Sequence, residues 1–159
     1  MPTPRAPAHP PPDTEPQDAR GRLVRSMALE AMAALRAVQH LAQRAFEPLG
    51  LSPAQVLTLV MIHKGIDQPK LLAQQLETVQ SAVSALLGEL QGRGLVDRAP
   101  DPADRRRVRL QVTHAGEAML ARAAQQWLVA TEHRLAGIQL ADLEATARVV
   151  RQLTQGGGP

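Results

Sequence analysis

Apolar side chains recur every three or four residues near both ends of the chain, as they do on one face of a helix. Between residues 21 and 46 this spacing predicts a long amphipathic helix, which Pro48 and Gly50 end. Beyond Thr113 it predicts a second long helix as far as Gly137, and a last helix before the glycine-rich tail. The apolar stripe of the first helix consists of Val24, Met27, Ala31, Leu35, Val38, Ala42 and Ala45.

Three shorter helices are predicted between the long ones. Ser52 and Pro53 are typical of a helix start, because a serine oxygen accepts from free amides and proline needs no donor in the first turn. Pro69 opens a brief helix, and a further apolar series begins at Val79 and ends at Gly92. Two short helices a few residues apart, the second of them amphipathic, outline a helix-turn-helix.

A β-hairpin is predicted directly after these helices. Residues 95–97 are typical of a short strand, residues 99–104 of a turn, and the alternation of Val108, Leu110 and Val112 of a second strand. The predicted fold class is therefore mainly α with a small β-hairpin wing. It is a winged helix-turn-helix domain with additional N- and C-terminal helices.

Arginines cluster around this hairpin. The net charge is only +3, and Lys64 and Lys70 are the only lysines, so the placement of the arginines matters more than the total. A guanidinium is always charged and binds phosphate through two donors, which indicates an anionic partner. A solvated basic loop shows the same pattern, and this alternative stays open on the cluster alone. The cluster consists of Arg93, Arg98, Arg105, Arg106, Arg107 and Arg109.

Composition narrows the class of protein further. The chain has 159 residues and no cysteine, which excludes disulfides and thiol sensors and favours a reducing, cytoplasmic environment. Prolines crowd the beginning, so residues 1–20 are predicted to be a disordered arm and residues 21–155 a single domain. No apolar run long enough for a membrane span or a signal peptide is found, and we expect no membrane partner.

No motif for catalysis, metal binding or a cofactor is found in the sequence. It lacks a glycine-rich phosphate loop and a nucleophile motif, so we expect neither an enzyme nor a bound cofactor. His40, His63, His114 and His133 lack the helical spacing of metal ligands and are expected to be surface or packing residues. One tryptophan and one phenylalanine are the only aromatic residues, which disfavours single-stranded nucleic acid as a partner.

Four segments carry a family resemblance: residues 51–59 (LSPAQVLTL), 89–98 (ELQGRGLVDR), 101–106 (DPADRR) and 110–116 (LQVTHAG). Over roughly residues 51–121 the sequence resembles the MarR (multiple antibiotic resistance regulator) family of bacterial transcription regulators. The resemblance implies a repressor that binds a palindromic operator in double-stranded DNA as a homodimer. It divides the chain into a winged helix-turn-helix at about 51–116 and dimerisation helices at about 21–46 and 117–155.

The resemblance also assigns roles to the hairpin arginines. The Asp-x-Arg pair of the family's wing falls on Asp104 and Arg106, where the aspartate would orient the guanidinium toward the DNA minor groove. A narrow minor groove concentrates negative potential, so an arginine on a rigid hairpin can enter it without reading base identity. Arg105, Arg107 and Arg109 would then meet phosphates.

In the family, the helix from Val79 to Gln91 would lie in the major groove. Gln80, Ser81 and Ser84 would then face base edges and sugar–phosphate oxygens. Further DNA contacts are expected from Lys70 and Arg98.

This helix departs from the family pattern. Residues 72–91 contain no lysine or arginine, and Ala85 stands where a basic residue is common. Val79 stands where a polar cap is common, so the helix either starts at Thr78 or begins uncapped, which costs about 1 kcal/mol. These departures leave a second hypothesis open, a winged-helix module for protein interaction or dimerisation without specific DNA binding.

A possible effector site is suggested by the first helix. Arg36, His40 and Arg44 stand four residues apart and therefore share one strip of the helix, within expected reach of Met61. A small anionic aromatic compound, such as an aromatic carboxylate, could pair with the strip and release the protein from DNA. The alternative, that the three side chains simply face water, stays open.

Overall fold

The structure is a computed structural model that describes residues 14–100 and 108–155. Its elements confirm the predicted fold class, mainly α with one small antiparallel hairpin. In chain order they are α1 (Thr14–Phe46), a 3₁₀ turn (Glu47–Leu49), α2 (Pro53–His63), α3 (Pro69–Gln75), α4 (Gln80–Gly92), β1 (Val96–Pro100), β2 (Val108–Val112), α5 (His114–Leu135) and α6 (Leu140–Gln155).

The chain divides into two compact units, residues 1–40 and 41–159. In the first unit the structure describes the larger part of α1, which begins at Thr14 and not at residue 21. The boundary of the predicted disordered arm, residues 1–20, was therefore wrong for residues 14–20. Pro16 falls in the first turn of α1, where a missing N–H leaves no helical hydrogen bond unmade.

The second unit has one apolar core, to which α2, α3, α4, the hairpin and α5 all contribute. Burial of apolar surface is the main favourable term in folding, so this cluster holds the short helices together. The end of α1 adds Phe46, whose ring centroid lies 6.0 Å from that of Trp127 on α5. The most deeply buried side chains are Leu59, Leu72, Leu87, Leu90, Val83 and Thr58.

The first turns of α2 and α4 differ in their N-terminal caps. Ser52 caps α2 as predicted: its Oγ accepts from Gln55 N at 3.2 Å, and Gln55 Oε1 accepts from Ser52 N at 2.8 Å. For α4 the residue before the first turn is Val79, in an extended conformation, and no side chain caps the helix. Of the two possibilities left by the sequence, the uncapped start is therefore the one found.

The hairpin, called the wing below, is attached to the rest of the unit along β2 and at its base. Its strands pair from Val96 opposite Val112 to Pro100 opposite Val108. Leu110 N donates to the carbonyl oxygen of Asp67, in the link between α2 and α3, at 2.9 Å. At the other end of the wing, Thr113 N donates to Leu95 O at 3.1 Å, and the Thr113 hydroxyl caps α5. The base of the wing thus has fixed neighbours on two sides.

Among the described residues, no single helix is long and apolar enough to cross a membrane. The bent pair Asp18–Leu49 and Pro53–His63 meets that criterion only together, by length and composition.

The close contact at Gly116, where α5 begins, gives a stability prediction. An alanine Cβ at this position would lie well inside van der Waals contact with the Leu95 carbonyl oxygen and with Val112 Cγ1. We expect Gly116→Ala to lower the free energy of unfolding by about 2–3 kcal/mol, measured by urea denaturation at fixed protein concentration. The matched control is Gly88→Ala, in the interior of α4, where an added Cβ meets nothing within 4 Å. That variant should gain up to about 1 kcal/mol, and equal effects of the two substitutions would contradict the packing at Gly116.

Candidate nucleic-acid interface

Helix α4 has one face in the core and the other in solvent. Val83, Leu87 and Leu90 are buried, whereas Gln80, Ser81, Ser84 and Ala85 are exposed. The three polar residues that the sequence assigned to base contacts therefore lie on the accessible face. Ser84 Oγ donates to Gln80 O at 2.9 Å, which uses its proton and leaves its oxygen to accept a hydrogen bond.

The first turn of α4 is open to solvent. The Val79 side chain is 66% exposed and has no polar atom with which to cap the helix. Because the first amides of a helix lack intrahelical acceptors and carry its positive end, they attract negatively charged groups. The positive end of α4 therefore lies at the exposed residues Gln80 and Ser81.

Positive charge near α4 comes from other elements. Lys70 is exposed in the first turn of α3, and Arg98 is exposed on β1. On α4 itself the only charged side chain is that of Glu89, which is exposed. The charge that attracts a polyanion is therefore concentrated on the wing and at the start of α3.

The wing residues fall into two groups. Asp104, Arg105, Arg106 and Arg107 lie outside the described residues, so their minor-groove and phosphate roles stay predictions. Arg109 lies on β2, where its Nε is 3.3 Å from Asp67 Oδ2. The Arg109 side chain is about half-exposed, and the Asp67 side chain is largely buried. This ion pair gives Arg109 a structural contact that its place in the arginine cluster did not indicate.

Arg93, another member of the cluster, is bound to the main chain of the same unit. Its Nη1 donates to Gly50 O at 2.6 Å and its Nη2 to Leu49 O at 3.0 Å. Two of the five N–H donors of this guanidinium are therefore used by main-chain carbonyls of the protein itself. Sequence reasoning counted Arg93 in the arginine cluster and did not indicate these partners, because they lie more than forty residues earlier in the chain.

Two further residues near α4 were missed by sequence reasoning. Gln55 of α2 donates through Nε2 to Glu89 Oε2 of α4. The spacing from Ser52 to Gln55 is that of a capping box and could have been recognised, but nothing local to Glu89 indicates its partner.

Among the described residues no group of three His, Asp or Glu side chains could hold a metal. His63 pairs with Glu117, Nδ1 to Oε1, at 2.9 Å.

The predicted effector strip is divided between the two units. Arg36 and His40 are exposed in the first unit, Arg44 is exposed in the second, and Met61 is half-buried against the core. The exposure of all three cations in the single chain is what the alternative, that they face water, predicts. A ligand site at these residues stays a prediction.

Comparison with known proteins agrees with the geometry. Residues 49–107, from the 3₁₀ turn into the wing, match the MarR family model. No curated sequence matches the chain. The matched segment includes α2, α3, α4 and the first strand of the wing.

Solved structures with the same fold cover 80–86% of the chain. The apo form of MarR from E. coli is 21% identical, with a TM-score of 0.66 over 84% of this chain and 95% of that one. CouR from Rhodococcus jostii RHA1, bound to p-coumaroyl-CoA, is 22% identical, with a TM-score of 0.69 over 80% and 90%. A MarR family protein from Bacillus stearothermophilus is 17% identical, with a TM-score of 0.75 over 86% and 96%. The chain thus resembles the MarR family in its winged helix-turn-helix segment, and it shares its fold with solved structures of that family.

Proposed function

We propose that this protein is a transcription regulator, a repressor, that binds a palindromic operator in double-stranded DNA as a homodimer. The proposal rests on the exposed polar face of α4. A hairpin that carries arginines follows this helix directly in the sequence. The DNA major groove admits an α-helix, and the adjacent minor groove admits an arginine on a hairpin.

The two elements would contribute differently to binding. The wing arginines would supply affinity, because phosphate and minor-groove contacts are largely independent of base identity. Gln80, Ser81 and Ser84 would supply sequence preference through hydrogen bonds to base edges. Because α4 carries no cation, discrimination would also depend on the shape of the DNA that the wing enters.

Homodimerisation is supported by apolar side chains that the single chain leaves exposed. On α1 the predicted stripe includes Val24, Met27, Leu35 and Val38, each between 44% and 60% exposed. A contiguous apolar face of this kind is uncommon on a monomer and typical of an interface. A two-fold symmetric dimer also matches a palindromic operator, whose half-sites lie about one helical turn apart.

A second candidate function is a winged-helix module that binds protein or serves only for dimerisation. The absence of any cation on α4, together with the exposed Val79, favours this alternative. The two functions differ in their response to salt. A dimer that displaces counterions from phosphates should lose about 10³-fold or more in affinity for DNA between roughly 50 and 200 mM salt. A protein-binding module would not retain DNA even at the lower concentration.

We further propose that a small anionic aromatic ligand regulates the repressor through Arg36, His40, Arg44 and Met61. The cations could pair with the acid, and the half-buried thioether could contact the ring. CouR, a structural relative, is bound to p-coumaroyl-CoA, which supports a ligand with an aromatic ring. The ligand would release DNA only to the extent that it binds the free geometry more tightly than the DNA-bound one.

The separation of affinity from specificity can be tested with two substitutions. Arg106→Ala should weaken binding to every DNA sequence and make the slope of log affinity against log salt shallower by about 1.8, because the homodimer loses two cations that each contribute about 0.9. Gln80→Ala should change the preference among operators while leaving that slope unchanged. Fluorescence anisotropy on an operator and on scrambled DNA of equal length measures both quantities. Unchanged affinity and slope for Arg106→Ala would remove the wing from the mechanism.

The dimer interface can be tested with two exposed leucines of α1. Leu35 lies on the apolar stripe and is 60% exposed, whereas Leu29 lies off the stripe and is 71% exposed. Leu35→Glu should shift a dimer toward monomer in sedimentation velocity at micromolar concentration, because it buries a charge at the interface. Leu29→Glu is the matched control and should leave the dimer intact. A wild-type protein that sediments as a monomer would overturn the proposed assembly.

The effector proposal is tested by titrating aromatic carboxylates and aromatic acyl thioesters against the operator complex. Trp127 fluorescence reports occupancy, and anisotropy of labelled DNA reports release. We expect both signals to change together in the wild type and to require about tenfold more ligand in Arg36→Ala, which lacks one cation of the strip. Occupancy without release, or an Arg36→Ala variant identical to the wild type, would exclude this regulation.

A further inference from the structure

The C-terminal half of α4 is fastened at two points to the junction between α1 and α2. Glu89 accepts from Gln55 Nε2, and Arg93, the residue directly after α4, donates to the carbonyls of Leu49 and Gly50. All of these residues belong to the second unit. The N-terminal half of the same helix carries the exposed Gln80, Ser81 and Ser84. One half of α4 is therefore bound to the protein, and the other is available to a partner.

The Gln55 side chain links the start of α2 to Glu89 on α4. It is only 7% exposed, and both ends of its amide are used. Oε1 accepts from Ser52 N at the start of α2, and Nε2 donates to Glu89. A buried amide with both ends satisfied has little freedom to reorient, because a new rotamer would leave polar atoms unpaired. The start of α2 thus fixes the position of the Glu89 carboxylate.

The Arg93 guanidinium completes the attachment. Its two Nη atoms donate to successive carbonyls, with N–O distances of 2.6 and 3.0 Å. These carbonyls end the 3₁₀ turn that follows α1, where a helix terminus carries partial negative charge and a cation is stabilising. The planar fork of arginine matches two neighbouring acceptors, whereas a lysine ammonium is a single point charge.

We propose that Arg93 and Glu89 are positioning residues, which clamp α4 to the α1–α2 junction and so determine which operators its exposed face accepts. In this role Arg93 does not contact phosphate, although it belongs by sequence to the arginine cluster. The inference rests on the proposed DNA-binding function for its effect on operator choice. The clamp itself exists in the free protein, where it can be tested without DNA.

The test uses pairs of variants that separate charge from geometry. Arg93→Lys keeps the positive charge but loses the planar pair of donors, and Arg93→Gln loses both the charge and this pair. Glu89→Gln keeps an oxygen for Gln55, and Glu89→Ala does not. We expect Arg93→Lys, Arg93→Gln and Glu89→Ala each to lower the ratio of operator affinity to scrambled-DNA affinity by about tenfold, with an unchanged salt slope. Glu89→Gln should keep the wild-type ratio.

The opposite pattern would overturn the proposal. If Arg93 binds phosphate, Arg93→Lys will resemble the wild type, and Arg93→Gln will weaken all DNA binding and make the salt slope shallower by about 1.8, since the homodimer loses two cations. Hydrogen exchange of the free protein supplies the readout that does not depend on DNA. Amides of residues 80–92 should exchange faster in Arg93→Lys and Glu89→Ala than in the wild type and Glu89→Gln. Unchanged exchange contradicts the clamp, and a wild-type protein that binds no DNA contradicts only the proposed function.

Discussion

Burial of one face of α4 is the constraint on which the rest of the structure depends. Val83, Leu87 and Leu90 lie in the core with Leu59 of α2 and Leu72 of α3. Because residues on a helix repeat about every 3.6 positions, burying these three side chains directs the intervening ones outward. The exposed polar face is thus a consequence of packing, and its position in the unit follows from the hydrogen bonds at the end of the same helix.

The distribution of arginine contacts changes how the basic segment is understood. Arg93 binds main-chain carbonyls, and Arg109 pairs with Asp67, so two members of the cluster hold the DNA-binding elements in place. Structural and phosphate-binding arginines use the same chemistry, two donors on a planar fork, and therefore look alike in a sequence. A structural arginine is distinguished by a carbonyl or carboxylate of the protein itself that accepts its hydrogen bonds.

Local patterns were sufficient to predict most of the fold. Helical periodicity, the Ser52–Pro53 start and the alternation in β2 each depend on residues close together in the chain, and the structure confirms all three. The start of α1 was misplaced because the proline count dominated a segment in which Pro16 is compatible with a first helical turn. The pairs Gln55 with Glu89 and Asp67 with Arg109 join distant positions, and no periodicity in the sequence indicates them.

The most direct test of DNA binding through α4 and the wing is a hydroxyl-radical footprint. The DNA would be a fragment that the purified protein enriches from a random pool at about 50 mM salt, where phosphate contacts are strong. A homodimer that inserts two wings should give a footprint with two-fold symmetry, in which protected minor-groove positions flank two half-sites about 10 base pairs apart. Failure to retain any DNA at that salt concentration, or a single protected tract without symmetry, would contradict this mode of binding.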